Sequence, residues 1–292
     1  MHATDLDLTS HVGCALCAAR SAPSGLWHAR RGFLLAAGAA AAGPALAQVD
    51  VGNASGMRRL VPAETLEDSA TQQYSQMLEK ARAQRALAPA NHPQLVRLRG
   101  IAQRLIPYTP PWNERARQWR WEINLIGSKQ INAFCMPGGK IAFYTGILDQ
   151  LKLTDDEVAM VMGHEMAHAL REHARARLAK SQATSIGLSL GAQLLGLGDL
   201  GNMAANLGTQ LLTLKFSRSD ESDADLVGLE LAARAGYNPE AAVSLWRKMG
   251  QATGSGGIGF LSTHPSGPDR IRELEENVPK VQNLYGAARR GG

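Results

Sequence analysis

Thr154-Asp155-Asp156-Glu157-Val158-Ala159-Met160-Val161-Met162-Gly163-His164-Glu165-Met166-Ala167-His168 holds a helix start, a helix body and two histidines in one unbroken run. Thr154 with Glu157 three residues on is a capping-box signature, in which each residue satisfies a backbone N–H of the other. The residues that follow are mostly helix formers, and Ala159, Ala167 and Ala169 allow close packing, so a helix is predicted from Thr154 to about Leu178. Side chains four apart on a helix lie about 5–6 Å from each other at Cβ. His164 and His168 can therefore hold one divalent metal between them, with Glu165 beside it. A metal in that position lowers the pKa of a bound water toward about 7, and a neighbouring carboxylate can take the proton. A catalytic metal also needs a third protein ligand. Phe216-Ser217-Arg218-Ser219-Asp220-Glu221-Ser222-Asp223-Ala224-Asp225 supplies one: Glu221 and Asp225 share a helix face, so Glu221 could ligate while Asp225 accepts the outer N–H of a ligand histidine. Asp220 and Asp223 are read as ordinary complements to the helix dipole.

On the N-terminal side, Trp119 to Leu125 alternates with period two, as a half-buried strand does, and Asn132 to Cys135 and Lys140 to Tyr144 form two strand arms about Pro137-Gly138-Gly139. Two helices are predicted earlier, Glu64 to Leu87 and Pro93 to Leu105, before the breaking cluster Pro107 to Pro111. Beyond the histidines, Ser185 to Leu197 and Leu200 to Leu214 read as an apolar helical hairpin. Each arm is shorter than the ~20 residues of a membrane span and is interrupted by Gln193, Asn202, Asn206 or Gln210. Helices follow over Ser219 to Ala235 and Pro239 to Met249, then a Gly/Ser loop over Gly250 to Gly259, a short helix over Asp269 to Asn277 and a frayed tail over 281–292. The fold class expected is α+β and mostly helical, a single domain over 63–280 with a small β-sheet beside the HExxH helix, preceded by a linker over 48–62.

Composition limits the alternatives. The 292 residues are 45% hydrophobic and 20% charged, as in ordinary globular chains. The net charge of +5 comes from scattered side chains, and no Lys/Arg block interleaves with aromatics, so no nucleic-acid partner is expected. Of three cysteines only Cys135 lies in the body, which excludes a disulfide framework. Cys14 and Cys17 form half a metal knuckle with no second half. They fall in a segment, 1–47, with the grammar of an export signal: Arg30-Arg31 directly before the apolar run Phe33 to Ala42, then Pro44-Ala45-Leu46-Ala47 as a cleavage site. A periplasmic product is expected, with an uncleaved membrane anchor as the alternative.

HExxH with a downstream E-x-x-A-D, here Glu221 to Asp225, resembles the gluzincin metallopeptidases of the HtpX and CAAX prenyl protease type, in their soluble periplasmic branch. Asn132-Ala133-Phe134 before Pro137-Gly138-Gly139, Gly146-Ile147-Leu148, Ser262-Thr263-His264-Pro265 and Asp269-Arg270-Ile271 agree with that pattern, from about residue 65 to 275. The resemblance implies a zincin-like domain with one Zn²⁺ per chain, held by His164, His168 and Glu221. It implies Glu165 as general base, Asp225 as the residue orienting a ligand histidine, and Asn132, Ala133 and Phe134 as a strand that pairs with substrate backbone. It places His264 near the metal, as an oxyanion donor or an extra ligand; a helix cap is the plainer reading of that loop histidine. Cys135 departs from the family's small residue there. The implied activity is an endopeptidase acting on extended, unfolded or damaged polypeptides of the bacterial envelope, with association at the membrane surface or with envelope proteins. A latent zinc-binding chaperone or assembly factor is the second reading, against which the intact Glu165 argues. His92 carries no such signal, and His173 is assigned to a solvated basic face, Arg171 to Arg177.

Replacing Arg30 and Arg31 with lysine is expected to leave the precursor in the cytoplasm, read by cell fractionation. Undiminished export of that variant would exclude the twin-arginine route.

Overall fold

The capping box at Thr154 forms as the sequence predicts: the Glu157 N–H donates to Thr154 Oγ1 at 3.3 Å, and the Thr154 N–H to Glu157 Oε2 at 2.9 Å. The computed structural model describes residues 49–181, 211, 214–252, 259–264 and 267–291. The segment Met1–Leu46 separates from the unit Ala47–Gly292 and lies outside the described residues, so the export signal is not described. The same holds for nearly all of the expected apolar hairpin and for the middle of the Gly/Ser loop.

Helix α1 (Ala63–Ala83) buries Leu66, Ala70, Tyr74, Leu78 and Ala81, one stripe at helical spacing. Helix α2 (Pro93–Leu105) starts on His92, whose ring accepts the Gln94 N–H at 3.3 Å, with Pro93 as first helical residue, where a missing N–H costs nothing. The sheet comprises β1 (Glu122–Ile126), β2 (Ala133–Met136) and β3 (Lys140–Tyr144) in the order β1-β3-β2. β3 runs parallel to β1 and antiparallel to β2, with Phe134 opposite Ala142 and Cys135 opposite Ile141. The β2–β3 turn depends on Gly138 and Gly139, at φ +82° and +76°, and a Cβ on Gly139 would lie 2.8 Å from the Trp121 ring. The Tyr74 hydroxyl, which donates to the Ile141 carbonyl, ties α1 to this sheet.

After α3 (Thr145–Leu151), helix α4 (Asp155–Leu170) runs through the centre of the molecule, with every residue from Glu157 to Leu170 buried. It packs on β2, on α2, on α5 (Arg218–Arg234) and on α6 (Ala241–Ala252). A helix buried all round is apolar all round, so the polar residues inside it stand out. Helix α7 (Gly259–Thr263) and helix α8 (Pro268–Gly291) complete the fold. The result is α+β and mostly helical, with a small three-stranded sheet against the HExxH helix. No helix among the described residues is long and apolar enough to cross a membrane.

Three segments differ from expectation. α4 stops at Leu170 instead of running to Leu178: Asn113 Nδ2 donates to the Leu170 carbonyl at 3.1 Å, Glu172 turns to φ +57°, and helix resumes over 173–181. The stretch over 48–62, expected as a linker, is docked from Val49 on. The Val49 N–H donates to buried Glu230 at 3.0 Å, and Val49 and Val61 are buried. The expected frayed tail continues α8 to Gly291, with Val281 buried.

Glu157 ties the start of α4 to α6, accepting from Ser244 Oγ at 2.8 Å and from Lys248 Nζ at 2.7 Å besides its capping role. Burial works to raise its carboxyl, but Lys248, the Thr154 backbone and Ser244 outweigh it and hold it below the ordinary 4.5. A carboxylate whose pKa is depressed on folding contributes stability above its unfolded pKa and loses it as pH falls through the folded value. Glu157→Ala is therefore expected to cost about 1–2 kcal/mol near neutral pH. The gap to wild type in urea midpoints should close as pH falls below 4.5. A gap constant down to about pH 3 would show that the charge on Glu157 contributes nothing.

Candidate metal centre

The histidines of α4 meet the acidic residues of α5 where two glycines allow the backbones to touch. A Cβ on Gly228 would lie 2.6 Å from the His164 nitrogen, and one on Gly163 would lie 2.8 Å from the Gly228 carbonyl oxygen. No real side chain fits at either position without moving a helix. This contact sets Glu221 and Asp225, two turns and one turn before Gly228 respectively, opposite His164 and His168.

His164, His168, Glu221 and His264 are all buried and offer one ligand atom each, all within 4.8 Å of one another. Nε2 of His164 lies 3.1 Å from Nε2 of His168 and 3.3 Å from Nδ1 of His264. Glu221 stands 3.6 Å from His164, 3.5 Å from His168 and 3.0 Å from His264. Glu165 Oε1, 3.5 Å from Nε2 of His264, is buried with no hydrogen-bond partner among the described residues. Burial pushes His168 well below the ordinary histidine range, and the neighbouring imidazoles push the same way, so its ring is neutral with a lone pair to give. Burial also raises Glu165, against the opposing pull of His264 and His164. Three imidazoles and a carboxylate converging in a dry site, beside an orphaned carboxylate oxygen, fit a divalent transition metal.

Around this set the structure supplies supports. Nδ1 of His164 lies 3.0 Å from Asp225 Oδ1, and Asp225 accepts from Arg270 at 2.7 and 2.8 Å. Burial works to raise Asp225, but Arg270 and His164 outweigh it and bring it down to about 2. Arg270 also pairs with Glu221 at 2.7 Å and lies 3.6 Å over the Trp246 ring. The His264 ring is stacked between Phe260 and Phe216, and Phe216 stacks on His168 at 3.9 Å between centroids. Burial works to lower His264, but Glu165 and Glu221 overcome it and raise its pKa. The helix-cap reading of His264 is set aside: its side chain faces the carboxylates, and α8 begins only at Pro268.

Residues 97–278 match peptidase family M48. The chain belongs to that family. It is 36% identical over 199 residues to the mitochondrial metalloendopeptidase OMA1 of Schizosaccharomyces pombe, an alignment covering 67% of this chain and 56% of that protein. The OMA1 of Arabidopsis thaliana is 40% identical over 156 residues, 53% of this chain and 31% of the relative. The metalloprotease LoiP of Escherichia coli is 28% identical over 217 residues, 74% and 80% of the two chains. The chain thus spans about half or less of the length of these two OMA1 relatives and most of LoiP.

Within this M48 domain, two expectations about site residues need correction. His173 and Arg171 do not belong to a solvated face. Both are buried: Nδ1 of His173 lies 2.9 Å from Nδ1 of His168, and Arg171 donates to Asp223 at 2.8 Å. Asp223 is therefore a partner of Arg171 as well as a dipole complement, whereas Asp220 closes a second capping box with Ser217. Asn132, Ala133 and Phe134 line a cavity of about 220 Å³ that also reaches Cys135, Glu165 and His264. Arg270 was visible only as part of a motif, and Gly228 carried no signal, because nothing local marks a glycine that faces another helix.

Gly228→Ala is expected to force α4 and α5 apart, lowering stability by about 1–3 kcal/mol, as overpacking does. It should also abolish tight metal binding in equilibrium dialysis. Metal affinity equal to wild type in a folded Gly228→Ala protein would show that the contact does not set the ligand geometry.

Proposed function

We propose that this protein is a zinc-dependent endopeptidase that cleaves extended or unfolded polypeptide segments in the bacterial cell envelope. The observation that carries the reading is the buried Glu165 oxygen, without a hydrogen-bond partner among the described residues, at the metal-ligand cluster and beside the cleft along β2. His164, His168 and Glu221 would hold Zn²⁺, which when bound supplies a water of lowered pKa and a Lewis acid for the peptide carbonyl. Glu165 takes the proton of the attacking water; its pKa, raised by burial, brings it closer to the working pH of a base. His264 stabilises the oxyanion, since a pKa raised by Glu165 and Glu221 favours a protonated donor there. Asp225 keeps His164 in the tautomer that presents Nε2.

The choice of substrate follows from the strand. β2 is an edge of the sheet among the described residues and lines the cavity beside Glu165, which supports a reading in which Asn132, Ala133 and Phe134 pair with an extended peptide. Such pairing reads backbone more than side chains, which favours unfolded segments. The envelope location rests on the twin-arginine pattern Arg30-Arg31 and its apolar run. An uncleaved signal acting as anchor, and docking at the membrane surface or on envelope proteins, belong to the same proposal. The HtpX and CAAX prenyl protease likeness within M48 rests on the motif residues around His164, Glu221 and His264.

Glu165→Gln is expected to keep one zinc per chain and lose hydrolysis of an unfolded substrate such as casein. Turnover at the wild-type rate in that variant would remove the mechanism, and zinc without hydrolysis in the wild-type protein would favour a binding role. Glu221→Ala should lose both metal and activity, whereas Asp225→Ala should weaken metal affinity about 10–100-fold. His264→Ala should lower kcat by about 10²–10³. Raised basal cleavage in that variant would instead identify His264 as an inhibitory ligand.

A further inference from the structure

The proposed mechanism leaves one buried imidazole at the centre unused. His173 begins the helical segment over 173–181, five residues past His168, with its ring against Phe216. We propose that His173 is a positioning residue for the ligand His168, held through Asp223 and Arg171 by the docked strap of residues 49–52. The inference rests on the metal-ligand reading given above.

A metal on Nε2 of His168 would set the direction of each hydrogen bond. Nε2 of His168 faces His164 and Glu221, so a His168 that gives its Nε2 lone pair to a metal carries its proton on Nδ1. That Nδ1–H donates to Nδ1 of His173, 2.9 Å away. The remaining proton of His173 then sits on Nε2, 3.6 Å from Asp223 Oδ2, an electrostatic contact longer than a hydrogen bond. Asp223 accepts from Arg171 Nε at 3.2 Å and from its Nη2 at 2.8 Å. The same guanidinium donates to the carbonyls of Val51 at 3.1 Å and Gly52 at 3.0 Å.

The second ligand histidine explains why an extra imidazole is needed. His164 reaches its carboxylate directly, at Asp225, which is held by Arg270. Asp223 and Asp225 are two residues apart on α5 and so point about 200° apart around its axis. They cannot both face α4 at hydrogen-bond range, and His173 spans the gap on the Asp223 side. Both ligand histidines thus end on an Asp–Arg pair, one directly and one through a histidine. On the His168 side the chain of contacts continues to backbone carbonyls of the strap, so a segment more than 100 residues earlier takes part in orienting a metal ligand.

The test uses the full-length protein and zinc competition with a chromophoric chelator, alongside thermal unfolding of the metal-free protein. His173→Ala is expected to weaken zinc affinity about 10–100-fold, as loss of an outer partner of a metal histidine does, with the metal-free midpoint unchanged. His173→Gln, whose amide oxygen can accept the same proton, should recover most of the affinity. Asp223→Asn should cost less in the His173→Ala background than alone, because Asp223 acts through His173. Zinc affinity of His173→Ala within about twofold of wild type would overturn the proposal. So would a lost metal-free midpoint that His173→Gln does not restore, which is the pattern of packing alone. A wild-type chain that binds no zinc would remove the metal-ligand reading itself, whereas zinc bound equally by wild type and His173→Ala would remove only the role of His173.

Discussion

The backbones of α4 and α5 touch at Gly163 and Gly228, and the rest of the centre depends on that contact. Helices with side chains between them stand about 8–10 Å apart at their axes. Removing both Cβ atoms at the crossing lets His164 and His168 on one helix converge with Glu221 on the other. The position costs something in helix propensity, about 1 kcal/mol for each glycine relative to alanine, and burial of both helices offsets it. α4 is buried on every side, so its position is set by the sheet, α2 and α6 as well as by α5.

Putting three imidazoles, three carboxylates and a guanidinium in one dry volume is costly unless each finds a partner. Arg270 pairs with two of these carboxylates, Glu221 and Asp225, and rests on Trp246. Its planar fork suits two carboxylates at once in a way a lysine would not. Glu165 differs from Glu221, whose Oε2 pairs with Arg270: among the described residues its buried Oε1 has no hydrogen-bond partner, and that oxygen marks where chemistry is expected.

The segments around the centre bind it to distant parts of the chain. Phe216 and Phe260 both stack on His264, which fixes the ring of a residue just past the short helix α7. Edge strand β2 forms one wall of the cleft, and the turn after it relies on two glycines at positive φ. The strap at residues 49–52 reaches the far side through Arg171.

The amino-acid sequence by itself determined what depends on neighbours in the chain. Thr154 and Glu157 form a capping box from any context, His164 and His168 share a helix face by spacing, and Pro137-Gly138-Gly139 turns two strand arms wherever they pack. The M48 motifs come from the same local stretches, which is why family and fold class were legible. The tertiary structure decided what depends on residues far apart in the chain. Spacing offered His173 as part of a basic surface, and only the meeting of α4 with α5 and the strap buries it against His168. Arg270 and Gly228 gained their roles the same way, and helix α4 ends where Asn113, far earlier in the chain, takes the Leu170 carbonyl. Local propensity is a sum over a few residues, whereas burial and partnering are set by whichever distant surface arrives, and no periodicity in the sequence encodes that surface.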